Sequence, residues 1–431
     1  MIGELIRNKV FWIYDALKNS GEIKKHYNDI KSKMKNSNSD FEKQLEALLL
    51  HANNTTSFYK NIKSKKINEY PIVTKRNFAD NFNEFLSDEF ANQELHKMST
   101  SGSTGTPFTV YQNRNKRNRT LADIIYFNEI CGQNLGDKYI FFRVWTDKNK
   151  KSAFERFKQN LVPIDILRLD DESLENIRDL LKKDSSINSA LAYGSTYEHL
   201  VNYLSNCGDT PEMFNIKLFV TSSEVLDYKV KRRIKDVIGC KIIDRYSNQE
   251  NGIIAQTGDL SEEFLVNTAS YYVELLKLDS DEEADEGELG RIVITDLYNY
   301  ALPMIRYDTG DLAIHCGKSD NGQIVKFKSV QGRRVDTFYD TKGNRITAHA
   351  WSVHMWKFDK LKQYQFIQEG QNSYVLKVSG GKGIYSEEEF VRTLCNVLGE
   401  DANIKIEFVD SIPVLSSGKF KKTICNYTPS N

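Results

Sequence analysis

Apolar residues recur at helical spacing at the start of the chain. Ile2, Leu5, Ile6, Val10, Ile13 and Leu17 fall on one face, which predicts an amphipathic helix. Such a face commonly packs on its own domain, and that is the expectation; the alternative is a face that lies on a membrane. Lys31 to Asp40 is polar and reads as a loop, and Asp40 is a candidate cap for a helix from Phe41 to about His51. Tyr70-Pro71-Ile72-Val73-Thr74-Lys75 reads as a turn followed by another cap. The basic run Arg114 to Arg119 opens a helix reaching about Cys131. Its charges either meet a polyanion or, as the plainer expectation, form a solvated helix face.

Strand and helix signals then alternate. Tyr139–Phe142, Ile187–Ala192 and Lys217–Thr221 read as strands, and Glu172–Lys183 and Tyr197–Asn206 as helices. That alternation predicts an α/β sandwich. Leu226, Val230, Ile234, Val237 and Ile238 share one face of a further helix, which Gly239 stops. A short strand Lys241–Asp244 leads into the polar run Arg245–Gly252, and Gly290–Thr295 is a strand. Asp279–Glu288 reads as an exposed acidic turn and Pro303–Asp311 as a polar turn. Beyond Arg334 the pattern changes. Two alternating runs, Tyr364–Gln368 and Tyr374–Val378, flank a hairpin signal, followed by a helix Glu387–Leu398 and a strand Ile404–Val409. The fold class expected is α/β: a large layered α/β domain over residues 1–334 and a small α+β domain over residues 335–431.

Composition narrows the function. At 431 residues, 40% hydrophobic and 27% charged, the chain suits a folded protein of more than one domain. Lys+Arg and Asp+Glu both number 59, so net charge points neither to nucleic acid nor to an anionic membrane. The six cysteines lack zinc spacing and read as buried free thiols of a reducing compartment. No apolar run is long enough to span a bilayer, and the N-terminus lacks a signal-peptide cleavage site, so a cytoplasmic location is expected.

The stretch richest in chemistry is Ser99-Thr100-Ser101-Gly102-Ser103-Thr104-Gly105-Thr106-Pro107. Glycines let backbone approach a polyanion, successive N–H groups form an anion-binding concavity, and hydroxyls add donors that pivot. No Lys-Ser or Lys-Thr follows the second glycine, so it is not a Walker A loop; a surface linker is the plain alternative. Two more polar segments, Ser222-Ser223-Glu224 and Arg245–Gly252, follow strands, where ligands of open α/β sheets bind.

Together these segments resemble the ordered motifs of the adenylate-forming superfamily, most closely its phenylacetate–CoA ligase and CapK-like branch, over most of the chain. The resemblance implies a ligase that joins a small carboxylic acid to ATP as acyl-AMP, releasing pyrophosphate, and passes the acyl group to an acceptor. The acceptor is coenzyme A or another thiol or, in capsular or surface polysaccharide synthesis, an amine or sugar; a nucleotide-binding scaffold without activity is a further alternative. By the same resemblance, loop residues Ser99, Thr100, Ser101, Gly102, Ser103, Thr104 and Gly105 cradle ATP phosphates. Ser223 and Glu224 match the adenine-binding turn. Tyr246-Ser247-Asn248-Gln249-Glu250 matches a motif with an adenine-side aromatic (Tyr246) and a magnesium carboxylate (Glu250), with Gln249 where Thr or Ser usually meets the α-phosphate. Asp311 would accept the ribose hydroxyls, Arg333 would contact nucleotide at the hinge, and Lys419 would be the catalytic lysine carried in by a small mobile C-terminal domain. Tyr193 and Gly194 are candidate walls of the acyl pocket, and Arg143 either binds a polar acid or pairs at the core edge. Cofactors implied are ATP or AMP and Mg2+, with coenzyme A as a possible co-substrate; no nucleic-acid partner and no membrane span are expected.

Overall fold

The computed structural model describes residues 2–35, 41–99, 109–145, 149–166, 169–222, 224, 226, 228–258, 263–333, 338–343, 345–346, 355, 357–358, 360–380, 383–413 and 421–427. The chain forms two compact units. One holds Met1–Thr309 with Ala313–Val330, the other Gly310–Leu312 with Gln331–Asn431.

The large unit begins with helices Ile2–Lys18, Glu22–Lys33 and Phe41–Thr55. The polar stretch after Lys31 is therefore helical as far as Lys33, and the third helix outruns its expected end by a turn. Its residues Leu45, Leu48, Leu49 and Ala52 pack with Tyr59, Phe78, Phe85 and Tyr307 in one core. A short hairpin follows, β1 (His96–Ser99) with β2 (Thr109–Gln112), in which Ser99 faces Thr109.

An eleven-stranded sheet organises the rest of this unit. Its parallel part comprises β3 (Lys138–Arg143), β4 (Leu161–Asp165), β5 (Ile187–Ala192), β6 (Leu218–Ser222) and β7 (Lys241–Asn248). They lie in the order β7-β6-β5-β3-β4. The period-2 pattern explains why both faces are covered. Phe219 and Ile242 point into a core with helices Asp171–Lys183, Gly194–Asn206 and Tyr228–Val237, while Leu218, Val220 and Ile243 point to the side of Cys131. From β7 the sheet continues antiparallel into β8 (Gly252–Thr257) and β9 (Phe264–Val266), then through β13 (Ile324–Arg333), β12 (Tyr307–Lys318) and β11 (Leu289–Asp296) to β10 (Tyr271–Leu276). The layered α/β class read from the pattern is what the chain adopts.

The small unit pairs β14 (Phe338–Tyr339) with β15 (Arg345–Ile346). Its main sheet runs β18-β17-β16-β19, from β16 (Leu361–Gln368), β17 (Ser373–Gly380), β18 (Asn403–Phe408) and β19 (Thr423–Cys425). Helix Glu387–Leu398 carries a capping box in which Ser386 and Glu389 exchange side chain–backbone bonds. Its Phe390, Leu394 and Leu398 pack on Phe366, Leu376 and Val378.

Three expectations need correction. The apolar face of the first helix does not pack on its domain: Leu5, Ile6, Val10, Ile13 and Leu17 are exposed. The run Arg114–Arg119 is not a solvated face, because Lys116 and Arg119 are fully buried and pair with Asp296 and Asp29. Burying such charges is tolerable only with partners, and these come from distant segments. The cysteines are all free, but only Cys131 and Cys240 are buried, and Cys207 is exposed.

Candidate active site

The site begins with the segment after Tyr70. Thr74 caps helix Lys75–Asp80 in a capping box with Asn77, as the turn-and-cap reading expects. Val73 lies as an isolated parallel bridge beside Tyr307, with Val73 N–H donating to Arg306 O at 3.0 Å and Asp308 N–H to Val73 O at 2.8 Å. Arg306 secures this junction. Its φ of 48° lies in the left-handed region, and its guanidinium pairs with Glu274 at 2.9 Å and donates to Tyr70 O at 3.0 Å. Burial pushes the Glu274 carboxyl up and Arg306 draws it back down, with burial prevailing. Arg306 and Tyr307 thus act by anchoring a segment some 230 residues earlier in the chain.

Glu250 sits where that junction meets the turn between β7 and β8. Its side chain is 2% exposed, and Lys75 Nζ lies 2.7 Å from Oε1. The Tyr307 hydroxyl donates to the same oxygen at 3.1 Å, so Oε2 accepts neither bond. Gln112 Nε2, at the end of β2, donates to the Glu250 carbonyl at 3.0 Å. The hairpin that carries the hydroxyl-rich loop is therefore tied at its base to the backbone of the residue that bears the candidate metal carboxylate. Beyond the Thr74–Lys75 cap, no local sequence signal marks Lys75 or Gln112 as a site residue. Their closeness to Glu250 depends on pairings across more than 130 residues.

Tyr246 lies inside β7 rather than in a turn, because the strand runs on to Asn248 by pairing with β8, with a register shift between Tyr246 and Ser247. Its hydroxyl donates to Thr309 Oγ1 at 3.2 Å, and Thr309 donates on to Ile292 O at 3.1 Å. Ser247 is half-buried and Gln249 exposed. Asp311 is half-buried within β12, one residue beyond Gly310 at φ 78°, so the motif read as a turn begins a strand.

A second cluster gathers at the carboxyl ends of β3, β5 and β6. Glu224 Oε2 accepts the Ser195 N–H at 2.8 Å, at the start of helix Gly194–Asn206, where a carboxylate is favoured by the helix dipole. Tyr193 is the N-cap of that helix, and Gly194 is buried as its first residue. Burial raises the Tyr193 hydroxyl above its usual value; the nearby Arg143 charge opposes this and the Glu224 charge adds to it. The adenine-side candidate Glu224 and the acyl-wall candidates Tyr193 and Gly194 are thus neighbours, within range of Arg143.

Thr100–Gly105, Ser223 and Lys419 lie outside the described residues, and for Ser99 and Arg333 only the backbone is described, at the ends of β1 and β13. Among the described residues no group of three or more His, Cys, Asp or Glu is arranged to hold a metal ion. A single carboxylate is still what magnesium requires when phosphate oxygens and water complete its shell, and Glu250, with Oε1 held by Lys75 and Tyr307, is the carboxylate present at this junction.

Residues 338–426 match the CapK C-terminal domain. Protein CapK of Staphylococcus aureus is 22% identical over 435 residues, covering 93% of each chain. Phenylacetate–coenzyme A ligase of Pseudomonas putida is 22% identical over 252 residues, 57% of this chain and 56% of that one. Among solved structures, 2-hydroxyisobutyryl-CoA ligase in the postadenylation state, in complex with R3-HIB-AMP, superposes with a TM-score of 0.70 at 18% identity, over 89% of this chain and 88% of that one. The chain has the fold of the adenylate-forming CoA ligases, and its likeness to the CapK-like branch extends over nearly its whole length.

Proposed function

We propose that this chain is an ATP-dependent ligase that activates a small carboxylic acid as acyl-AMP and transfers the acyl group to an acceptor. The observation that carries this reading is the junction at Glu250. Three motifs far apart in sequence converge there: the Thr74–Lys75 cap, the base of the hydroxyl-rich hairpin at Gln112, and Tyr307 of the Arg306–Asp311 motif. A turn-stabilising carboxylate needs no such convergence.

In this reading the donors of loop 99–107, on the hairpin anchored through Gln112, hold the phosphates. Glu250 would hold magnesium, which would supply positive charge beside them. Glu224, Ser223 and Tyr246 flank the adenine, Ser247 and Gln249 line the approach to the α-phosphate, and Asp311 accepts the ribose hydroxyls. Arg333 adds a cation at the hinge. Tyr193 and Gly194 bound the acyl group, and Lys419 neutralises charge as the carboxylate oxygen attacks the α-phosphate and pyrophosphate leaves. The acyl acceptor is coenzyme A in the first reading; an amine or sugar is the alternative.

Gln249 supports a second reading. It stands, exposed, where a hydroxyl residue meets the α-phosphate in the superfamily, as expected of a nucleotide-binding protein that has lost the chemistry. ATP–pyrophosphate exchange with a panel of carboxylates separates the two: acid-dependent exchange supports the ligase, and ATP binding without exchange for any acid supports the scaffold. Adding coenzyme A or hydroxylamine to the exchange-active acid then distinguishes acceptors.

A further inference from the structure

The first helix shows solvent the face that its sequence pattern would bury. Its inward side is made by other residues. Asp15 is buried and accepts the backbone N–H groups of Ile23 at 3.3 Å and Lys24 at 2.9 Å, at the start of the next helix. Phe11 and Trp12 pack against Ile23, Tyr27 and Ile30. Asn8 donates to Leu135 O at 3.1 Å. With that side taken, the apolar stripe points outward: Leu5, Ile6, Val10, Ile13 and Leu17 are between 55% and 78% exposed.

A second short helix extends the patch. In Ala153–Gln159, Phe154 and Phe157 are 74% and 69% exposed. The two helices are joined directly. Arg7 Nε donates to Phe157 O at 3.3 Å, its guanidinium lies 5.1 Å from the Phe157 ring centroid, and Lys158 Nζ lies 4.5 Å from that of Tyr14. Together they hold more than half of the large exposed apolar side chains among the described residues. Contiguous patches of this kind mark interaction sites.

Charge decides the occupant. The chain as a whole is neutral, but this surface is not. The carboxylate of Asp15 is turned into the protein and Glu4, in the first turn, is half-buried, while Lys9 and Lys18 are exposed on the first helix, Lys150 just before the second helix, and Arg156 and Lys158 on it. Glu155 is the acidic exception there, and it is engaged in a capping box with Ser152. Apolar side chains rimmed by Lys and Arg, whose stems reach from the apolar layer to the headgroups, are what an anionic bilayer surface accepts. A second copy docked on this face by a two-fold axis would set like charges together. We propose that the helices Ile2–Lys18 and Ala153–Gln159 form a peripheral docking surface for an anionic lipid bilayer, on which the large unit sits without spanning it. The inference is independent of the ligase reading.

The test is flotation of the full chain with vesicles of phosphatidylcholine, alone and mixed with phosphatidylglycerol, at low and raised salt. The wild type should float with the mixed vesicles and be released in part by salt. Ile13→Asp combined with Leu17→Asp should lower the bound fraction at least about tenfold, since two inserted apolar side chains become charged. Both positions are exposed, so circular dichroism and the melting temperature should stay at wild-type values. Lys9→Glu with Lys158→Glu should weaken binding to mixed vesicles and abolish its salt dependence. No flotation of the wild type at low salt overturns the proposal, as does flotation indifferent to Ile13→Asp/Leu17→Asp. A dimer in sedimentation velocity that this double variant dissolves, without vesicle binding, overturns it in favour of a second copy as the occupant.

Discussion

Replacing Lys75 with methionine isolates the junction at Glu250. The variant leaves a carboxylate whose side chain is 2% exposed with a single remaining donor of the two at Oε1, the Tyr307 hydroxyl at 3.1 Å. Breaking a fully buried pair costs about 3–5 kcal/mol, because one charge stays buried and uncompensated. Two features lower that here: Lys75 is 39% exposed, so the pair is only half desolvated, and the hydroxyl remains. The expected loss is about 2 kcal/mol. Glu250→Gln should cost less, about 1 kcal/mol, because the amide oxygen still accepts from Tyr307 and the lysine head reaches water. The double variant should match Glu250→Gln, a coupling of about 2 kcal/mol between neighbours. Urea unfolding of each variant, supported by calorimetry in which about 2 kcal/mol shifts the large unit's melting point by roughly 3–6 °C, provides the measurement. Added Mg–ATP should recover more of the loss in Lys75→Met, by giving the stranded carboxylate a new cation, than in the double variant. A Lys75→Met midpoint equal to wild type would refute the account of Glu250 as a buried charge held by Lys75.

Lys419→Ala should lower acid-dependent ATP–pyrophosphate exchange by roughly two orders of magnitude or more with nucleotide affinity nearly unchanged, read by exchange kinetics and calorimetry. Asp311→Ala should weaken AMP binding by about 1–3 kcal/mol, and equal affinity in a folded variant would remove Asp311 from the nucleotide site. Hydrogen bonds from Arg178, at 2.7 and 2.8 Å, hold the Asp209 carboxyl below the usual carboxylate range, with Lys182 adding to the effect. A depressed folded value means that this stabilisation is full above the unfolded pKa, near ~4, and fades as pH falls through the folded one. Asp209→Asn should therefore destabilise at pH 7, and by a shrinking margin as urea midpoints are followed below about pH 4. A maleimide at mildly alkaline pH should label exposed Cys207 and spare Cys240, whose burial pushes its thiol up to about 12; early labelling of Cys240, read by peptide mass, would contradict its place beneath the sheet.

Much of the fold was legible because its signals are local. The alternation around Leu218–Ser222 and the periodicity of Tyr228–Val237 need only neighbouring residues to set strand against helix. The cap at Thr74 arises from side chains three residues apart. The motifs of the candidate site were legible in the same way, as short runs in order. What no local signal held is how they meet. Lys75 reaches Glu250 because Val73 pairs beside Tyr307, and Tyr246 lies in a strand because Gly252–Thr257 folds back along it. The basic run at Lys116 and Arg119 looks solvated until Asp296 and Asp29 arrive from elsewhere in the chain. The first helix makes the same point in reverse. Its period determined that an apolar face exists, but Asp15, Phe11 and Trp12 determined which face the protein takes. A carboxylate that satisfies buried N–H groups, together with two aromatic side chains, outweighs an aliphatic stripe with nothing opposite it. Periodicity is a property of a dozen neighbouring residues, whereas partners are set by chain closure over hundreds, and only the folded structure supplies those.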